Sequence, residues 1–218
     1  MLIHPSGERA VDDWILVTGF GPFPGVEVNP TQILAERLNQ EQFQGLSVVS
    51  IVLDVSFDRA AKQLLEALSN GWPRFVVHFG VATSSDRILV ESQGVNCKSS
   101  DIPDVDEQQF ESGLVNDSYP LNSILRTSIL TENLARSLNE NGYPALYSEN
   151  AGRYVCNATY FNSLAYVAES KSTTASLFIH TPAVCPDPDP KDQTLTDWTH
   201  ERLYNSAAHI IDWLASDM

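Results

Sequence analysis

The sequence predicts an α/β fold in which a largely parallel sheet is covered by helices. Three features carry this expectation: short apolar runs that read as buried strands, amphipathic stretches of helical spacing between them, and turn residues at the junctions. The chain has 218 residues, 43% of them hydrophobic, enough to bury a sizeable core in a single domain spanning residues 1–218. Residues 1–12 read as a loosely ordered N-terminal extension.

Trp14 to Thr18 is the first strand, a continuous apolar run of the kind found where both sheet faces are covered. A loop, Gly19 to Val28, leads to a helix that Asn29 can cap, with Pro30 at its first position and Gln32 closing a capping box. Ile33, Leu34 and Leu38 form its apolar stripe. The next strand is Val48 to Leu53. It is followed by a helix from Phe57 to Leu68, with Ala61, Leu64, Leu65 and Leu68 on one face and Asn70-Gly71 as its stop. Phe75 to Phe79 and the shorter run Arg87 to Val90 are further strands. Asn96 to Asn122, polar and acidic and marked by Pro103, Gly113 and Pro120, reads as an irregular excursion.

Thr127 or Ser128 opens a helix that ends at Asn141, with Leu130, Leu134 and Leu138 at helical spacing. Ala145 to Ser148 is a short strand, Asn157 to Ser170 a helix, and Leu177 to His180 a strand. Thr194 with Asp197 opens a last helix toward Leu214. No internal repeat or linker divides this series.

A formal net charge of -15 repels phosphate backbones and anionic lipid headgroups, which argues against nucleic acid and membranes as partners. Met1 to Val11 contains no apolar stretch of signal-peptide length, so the expected location is cytoplasmic. Cys97, Cys156 and Cys185 are an odd set with no CxxC pair and read as free thiols.

In open parallel sheets, ligands bind beyond the carboxyl ends of the strands. That rule nominates Cys156 at a loop-to-helix junction, His180 at a strand end, and the loop after Thr18. Unpaired N–H groups at a helix start favour a thiolate, and a nearby imidazole can serve as its acid and base. Glu91 could orient that imidazole. Each residue also has a bland reading: Cys156 as a small buried hydrophobe, His180 as a hydrogen-bonded core histidine, Glu91 as a surface carboxylate. The loop Gly19 to Gly25 lacks the spacing and lysine of a phosphate cradle, and its two phenylalanines suit a flat apolar wall. Cys185 and His180 have no second spaced pair that would support a metal site.

Several blocks resemble type I pyroglutamyl peptidases, a family of cysteine peptidases. Thr18-Gly19-Phe20-Gly21-Pro22-Phe23 with Asn29-Pro30 resembles the amino-terminal signature. His78 to Val81, Glu91, Asn96 and Ile102-Pro103-Asp104 resemble the block carrying the catalytic glutamate. Ala151 to Asn157 resembles the nucleophile motif, and Phe178 to Pro182 the histidine motif. The resemblance implies a three-layer α/β/α sandwich and no cofactor, with Cys156 as nucleophile, His180 as acid and base, and Glu91 as the third member. It further implies that Phe20 and Phe23 flank the pyrrolidone ring, with Ile102, Tyr154 and Val155 nearby and the backbone around Val81 hydrogen-bonding the lactam.

The expected activity is hydrolysis of the amide bond after an N-terminal pyroglutamyl residue through a thioester, on a peptide substrate. Family members occur as monomers and tetramers, so a homo-oligomer is compatible. Pro24, Ser92 and Asp101 depart from the family pattern. Two alternatives stand beside this reading: a weakened relative that binds capped peptides, and a nucleoside-phosphorylase-like enzyme on a similar scaffold.

Overall fold

The computed structural model describes residues 12–170, 172–184 and 198–216. In chain order it forms β1 (Asp12–Phe20), α1 (Pro30–Leu38), β2 (Gln42–Phe43), β3 (Leu46–Leu53), α2 (Phe57–Leu68), β4 (Pro73–Val81) and β5 (Ile88–Glu91). These are followed by β6 (Gln93–Val95), β7 (Ile124–Arg126), α3 (Thr131–Glu140), β8 (Ala145–Ser148), α4 (Val155–Ser170), β9 (Ala175–Thr181) and α5 (His200–Ser216).

The main sheet has the order β2-β3-β1-β4-β9-β5-β8 among the described residues. Strands β3, β1, β4 and β9 are mutually parallel, and β5 and β8 are parallel to each other but antiparallel to β9. Helices cover both faces, giving three layers. α1, α3 and α5 pack on one face, and α2 and α4 on the other. The strands alternate accordingly: Ile15, Val17 and Val77 join Leu34, Leu134 and Ile210, whereas Leu16 and Val76 meet Leu64 and Leu68.

Local details differ from the sequence expectation where tertiary contacts decide. Asp12 belongs to β1, and its N–H donates to the Trp72 carbonyl at 2.7 Å, so this last residue of the expected extension is part of the sheet; residues 1–11 lie outside the described residues. Asn29 caps α1 by accepting the Thr31 N–H at 3.1 Å, but no capping box forms, because the Gln32 amide donates to Glu36 at 2.9 Å. On α2 the buried face is Phe57, Ala60, Leu64 and Leu68; Leu65 is 43% exposed and Ala61 only half-buried. α3 starts at Thr131, leaving Leu130 exposed, since Thr127 is still held to the sheet, its N–H donating to the Ser92 carbonyl at 3.1 Å and its hydroxyl to the Ser176 carbonyl at 2.6 Å. Cys185, Thr194 and Asp197 lie outside the described residues; α5 begins at His200, with the Thr199 hydroxyl accepting the Arg202 N–H at 3.1 Å.

The excursion between β6 and β7 is irregular but firmly held. Buried Asp104 accepts the N–H groups of Phe57, Asp106 and Gln108, each at 2.9 Å, which pins the loop to the first turn of α2. No helix among the described residues is long and apolar enough to cross a membrane.

Candidate active site

The antiparallel step at β9 and β5 creates the site. Along one register row, Thr18 pairs with His78, His78 with Phe178, and Phe178 with Glu91. Paired residues project to the same face, so these four side chains, and His180 two residues beyond Phe178, all face α2 and α4. Glu91 is therefore fully buried rather than a surface carboxylate, and its Oε1 lies 2.8 Å from His180 Nδ1.

Burial opposes a charge on His180, but hydrogen bonds with Cys156 and Glu91, reinforced by their charges, outweigh it and push the imidazole up to about 9. With Nδ1 engaged by the carboxylate, Nε2 is the nitrogen left for the thiol. Cys156 is the second residue of α4, within the helix rather than ahead of it, at the end where backbone N–H groups lack intrahelical partners. Strand β8 runs against β9, so its carboxyl end does not point to the edge where β1, β4 and β9 finish. The loop 149–154 carries the chain back to that edge. Cys156 thus lies at that edge, beside Gly80 and His180, although the strand preceding it runs the other way.

Gly80 makes the approach of the thiol possible. It pairs with His180, and a Cβ there would lie 3.0 Å from Cys156 Sγ and 2.8 Å from the Phe178 ring. Gly19 serves the neighbouring loop: a Cβ would collide with the Thr31 carbonyl oxygen at 2.0 Å, so α1 can begin directly against β1 only with glycine there.

Cys156 and His180 open onto a cavity of about 250 Å³ whose walls include Phe20, Phe23, Val81, Tyr154 and Val155. Among the described residues that line it there is no Asp, Glu, Lys or Arg. Thr83 and Ser84 beyond β4 also line it, with nothing in their sequence context to single them out, as does Ala151, the first residue of the nucleophile-like block. Tyr154 donates its hydroxyl to the Pro103 carbonyl at 2.9 Å, tying the wall to the excursion, and burial pushes its phenol up to about 12. Ile102 is not brought to the cavity: Ser100 Oγ donates to its carbonyl at 2.7 Å across a tight turn, leaving the residue 47% exposed. Of the departures from the family pattern, Ser92 donates to the Ser148 carbonyl on β8 at 3.0 Å, and Pro24 and Asp101 are exposed. A larger groove of about 660 Å³ beside α2 is lined by Trp14, Leu16, Val49, Ile51 and Val52 together with Gln63, Glu66, Ala67 and Asn70, with no cysteine or histidine among these described residues.

A model of the pyroglutamyl peptidase family matches residues 13–195. The chain belongs to that family. A pyrrolidone-carboxylate peptidase of Thermococcus litoralis is 32% identical over 168 residues, covering 77% of this chain and 76% of that protein. One from Pyrococcus furiosus is 31% identical over 170 residues, 78% of this chain and 81% of that protein. The solved structure of a mutant pyrrolidone carboxyl peptidase from P. furiosus superposes with a TM-score of 0.86 at 27% identity, covering 94% of this chain and 99% of that one. The T. litoralis enzyme gives 0.84 at 28% identity, with 95% and 97% covered. This family placement agrees with the resemblance read from the motifs.

Beneath the site, His78 is fully buried, its Nδ1 2.8 Å from the Thr18 hydroxyl and its ring stacked on Phe178 at 5.8 Å. Burial pushes its pKa from 6.5 down to about 3. The unfolded chain therefore binds a proton near pH 6.5 that the folded chain refuses, so stability falls as pH drops below 6.5 and levels off near 3. Denaturant unfolding at pH 7, 5 and 4 checks this. The paired replacement Thr18→Val/His78→Phe should flatten the slope by several kcal/mol across that window, and an unchanged slope would refute the assignment.

Proposed function

We propose that this chain is a cysteine peptidase that removes N-terminal pyroglutamate from peptides, with Cys156 as nucleophile, His180 as acid and base, and Glu91 orienting the imidazole. The observation that carries the reading is the convergence of the thiol and the 2.8 Å His180–Glu91 pair on a cavity with uncharged walls. The family's relatives, named pyrrolidone-carboxylate peptidases, support it.

A protonated imidazole beside the sulfur favours the thiolate. The thiolate attacks the scissile carbonyl carbon, forming a C–S bond, and backbone N–H groups at the start of α4 stabilise the oxyanion. Collapse breaks the C–N bond, and His180 protonates the departing amine. A water molecule, losing its proton to the neutral imidazole, then attacks the thioester; pyroglutamate leaves and the thiol is restored. Phe20, Phe23, Tyr154 and Val155 form the ring wall, and the backbone at Val81 is placed to meet the lactam. Peptide substrates are the partners, and a cytoplasmic location agrees with the free thiols. The nucleoside-phosphorylase alternative requires cations at a phosphate, whereas Arg87 pairs with Asp86 at 3.5 Å and Arg153 donates to the Gly152 carbonyl at 2.6 Å.

Comparing kcat/KM for pyroglutamyl, prolyl and glutamyl amides of one leaving group tests the specificity. Uncyclised glutamate would bring an ammonium and a carboxylate against aromatic walls, so it is expected to be at least ~10³-fold poorer. Prolyl amide, with a charge and no lactam carbonyl, should also be poor. Comparable values for all three would replace this reading with a general aminopeptidase; pyroglutamate binding without turnover would favour the capped-peptide binder.

A further inference from the structure

Cys156 and Tyr160 are four residues apart on α4 and share one helical face. Tyr160 is fully buried, and its hydroxyl donates to the main-chain carbonyl of Glu91 at 2.9 Å. One residue after the cysteine, fully buried Asn157 accepts the Val95 N–H at 2.9 Å and donates to the carbonyls of Val95 at 2.8 Å and Cys97 at 3.0 Å. Between these contacts the backbones nearly touch, since a Cβ on Gly94 would lie 3.0 Å from Phe161 N and Cα. The helix that carries the thiol in its first turn is thus fastened to the segment 91–97, whose first residue is the carboxylate.

We propose that Tyr160, with Asn157 beside it, is a positioning residue that sets the distance between the thiol on α4 and the His180–Glu91 pair on the sheet. The proposal rests on the active-site reading above. Hydrogen bonds within the sheet hold Glu91 and His180 to each other, while α4 is held to them by packing, by these side chains and, further along, by Ser163, whose hydroxyl lies 2.8 Å from that of Ser176 on β9. Tyr160 acts at the backbone of Glu91, so moving it turns the carboxylate and, through the 2.8 Å contact, the imidazole facing the sulfur. A displacement of about 1 Å at reacting groups can cost 10²-fold in rate.

Tyr160→Phe keeps the ring, which packs 5.7 Å from Phe178 and 6.4 Å from His78, and removes only the hydroxyl. With a pyroglutamyl amide, the expected result is a kcat lowered by about tenfold or more with KM within about twofold. The pH profile of Cys156 alkylation by iodoacetamide should shift upward as the imidazole–thiol contact loosens. The same substitution in a Glu91→Gln background should cost less than about twofold, because positioning that acts through the carboxylate has less left to position. An unchanged kcat in Tyr160→Phe, or an equal loss in both backgrounds, overturns the proposal. Turnover persisting in Cys156→Ala would instead overturn the active-site reading beneath it, and the proposal with it.

Discussion

Replacing Cys156 with alanine is expected to lower kcat by about 10⁴- to 10⁶-fold, because in the proposed mechanism this sulfur carries the acyl group and without it only binding and oxyanion stabilisation remain. The fold should survive. Cys156 is half-buried at the cavity, and its sulfur rests against Gly80 rather than filling the core. Turnover of a pyroglutamyl amide and thermal unfolding of the variant decide the matter together. Cys97→Ala is the matched control: Cys97 is buried, and Asn157 uses its carbonyl rather than its thiol, so most activity should be retained. Substantial turnover in a folded Cys156→Ala chain would remove the cysteine from the mechanism.

Loss of the imidazole in His180→Ala should lower kcat by roughly 10²- to 10⁴-fold with little change in KM, since proton transfer is needed chiefly in the transition state. The pH dependence follows from the same contacts. With its pKa pushed up to about 9, His180 holds its proton through neutrality and can protonate the leaving amine; kcat/KM should decline as pH rises through about 9. The stability sign agrees. A folded pKa above the unfolded 6.5 makes this contribution complete below 6.5 and lost between 6.5 and about 9. In Glu91→Gln one of the interactions that raise the imidazole's pKa is weakened, so the alkaline limb should move toward neutral pH. Profiles of kcat/KM from pH 6 to 10 measure it, and an unmoved limb would separate Glu91 from the proton transfer.

Several features of the site were legible in the chain before any contact was known, because they depend on local chemistry. Apolar runs such as Trp14 to Thr18 and Phe75 to Phe79 specify buried strands. Leu64 and Leu68 mark a helix face, and Asn29 with Pro30 marks a helix start. His180 at a strand end and Cys156 near a helix start could be nominated from position, and the motifs joined them to Glu91. Local pattern failed where it had no access to the other side of a contact: Leu65 has helical spacing but points to solvent, and Leu130 fits a helix whose expected first turn is held back by the bonds of Thr127 to the Ser92 and Ser176 carbonyls.

What the tertiary structure alone decided is the antiparallel placement of β5 against β9. Strand direction leaves no trace in a four-residue apolar run. Yet it puts Glu91 on the face of Phe178 and His180 and converts an apparently ordinary acidic residue into a buried partner of the imidazole. Gly80 and Asn157 fell within the motif blocks without a role, and Tyr160 outside them, for the same reason: a missing side chain, an amide and a phenol acquire their roles only from the atoms opposite them. Those atoms lie 60 to 69 positions away along the chain for Asn157 and Tyr160 and, for Gly80, 76 positions away at Cys156. Local propensity determines which elements form; the pairing of distant ones determines which side chains meet.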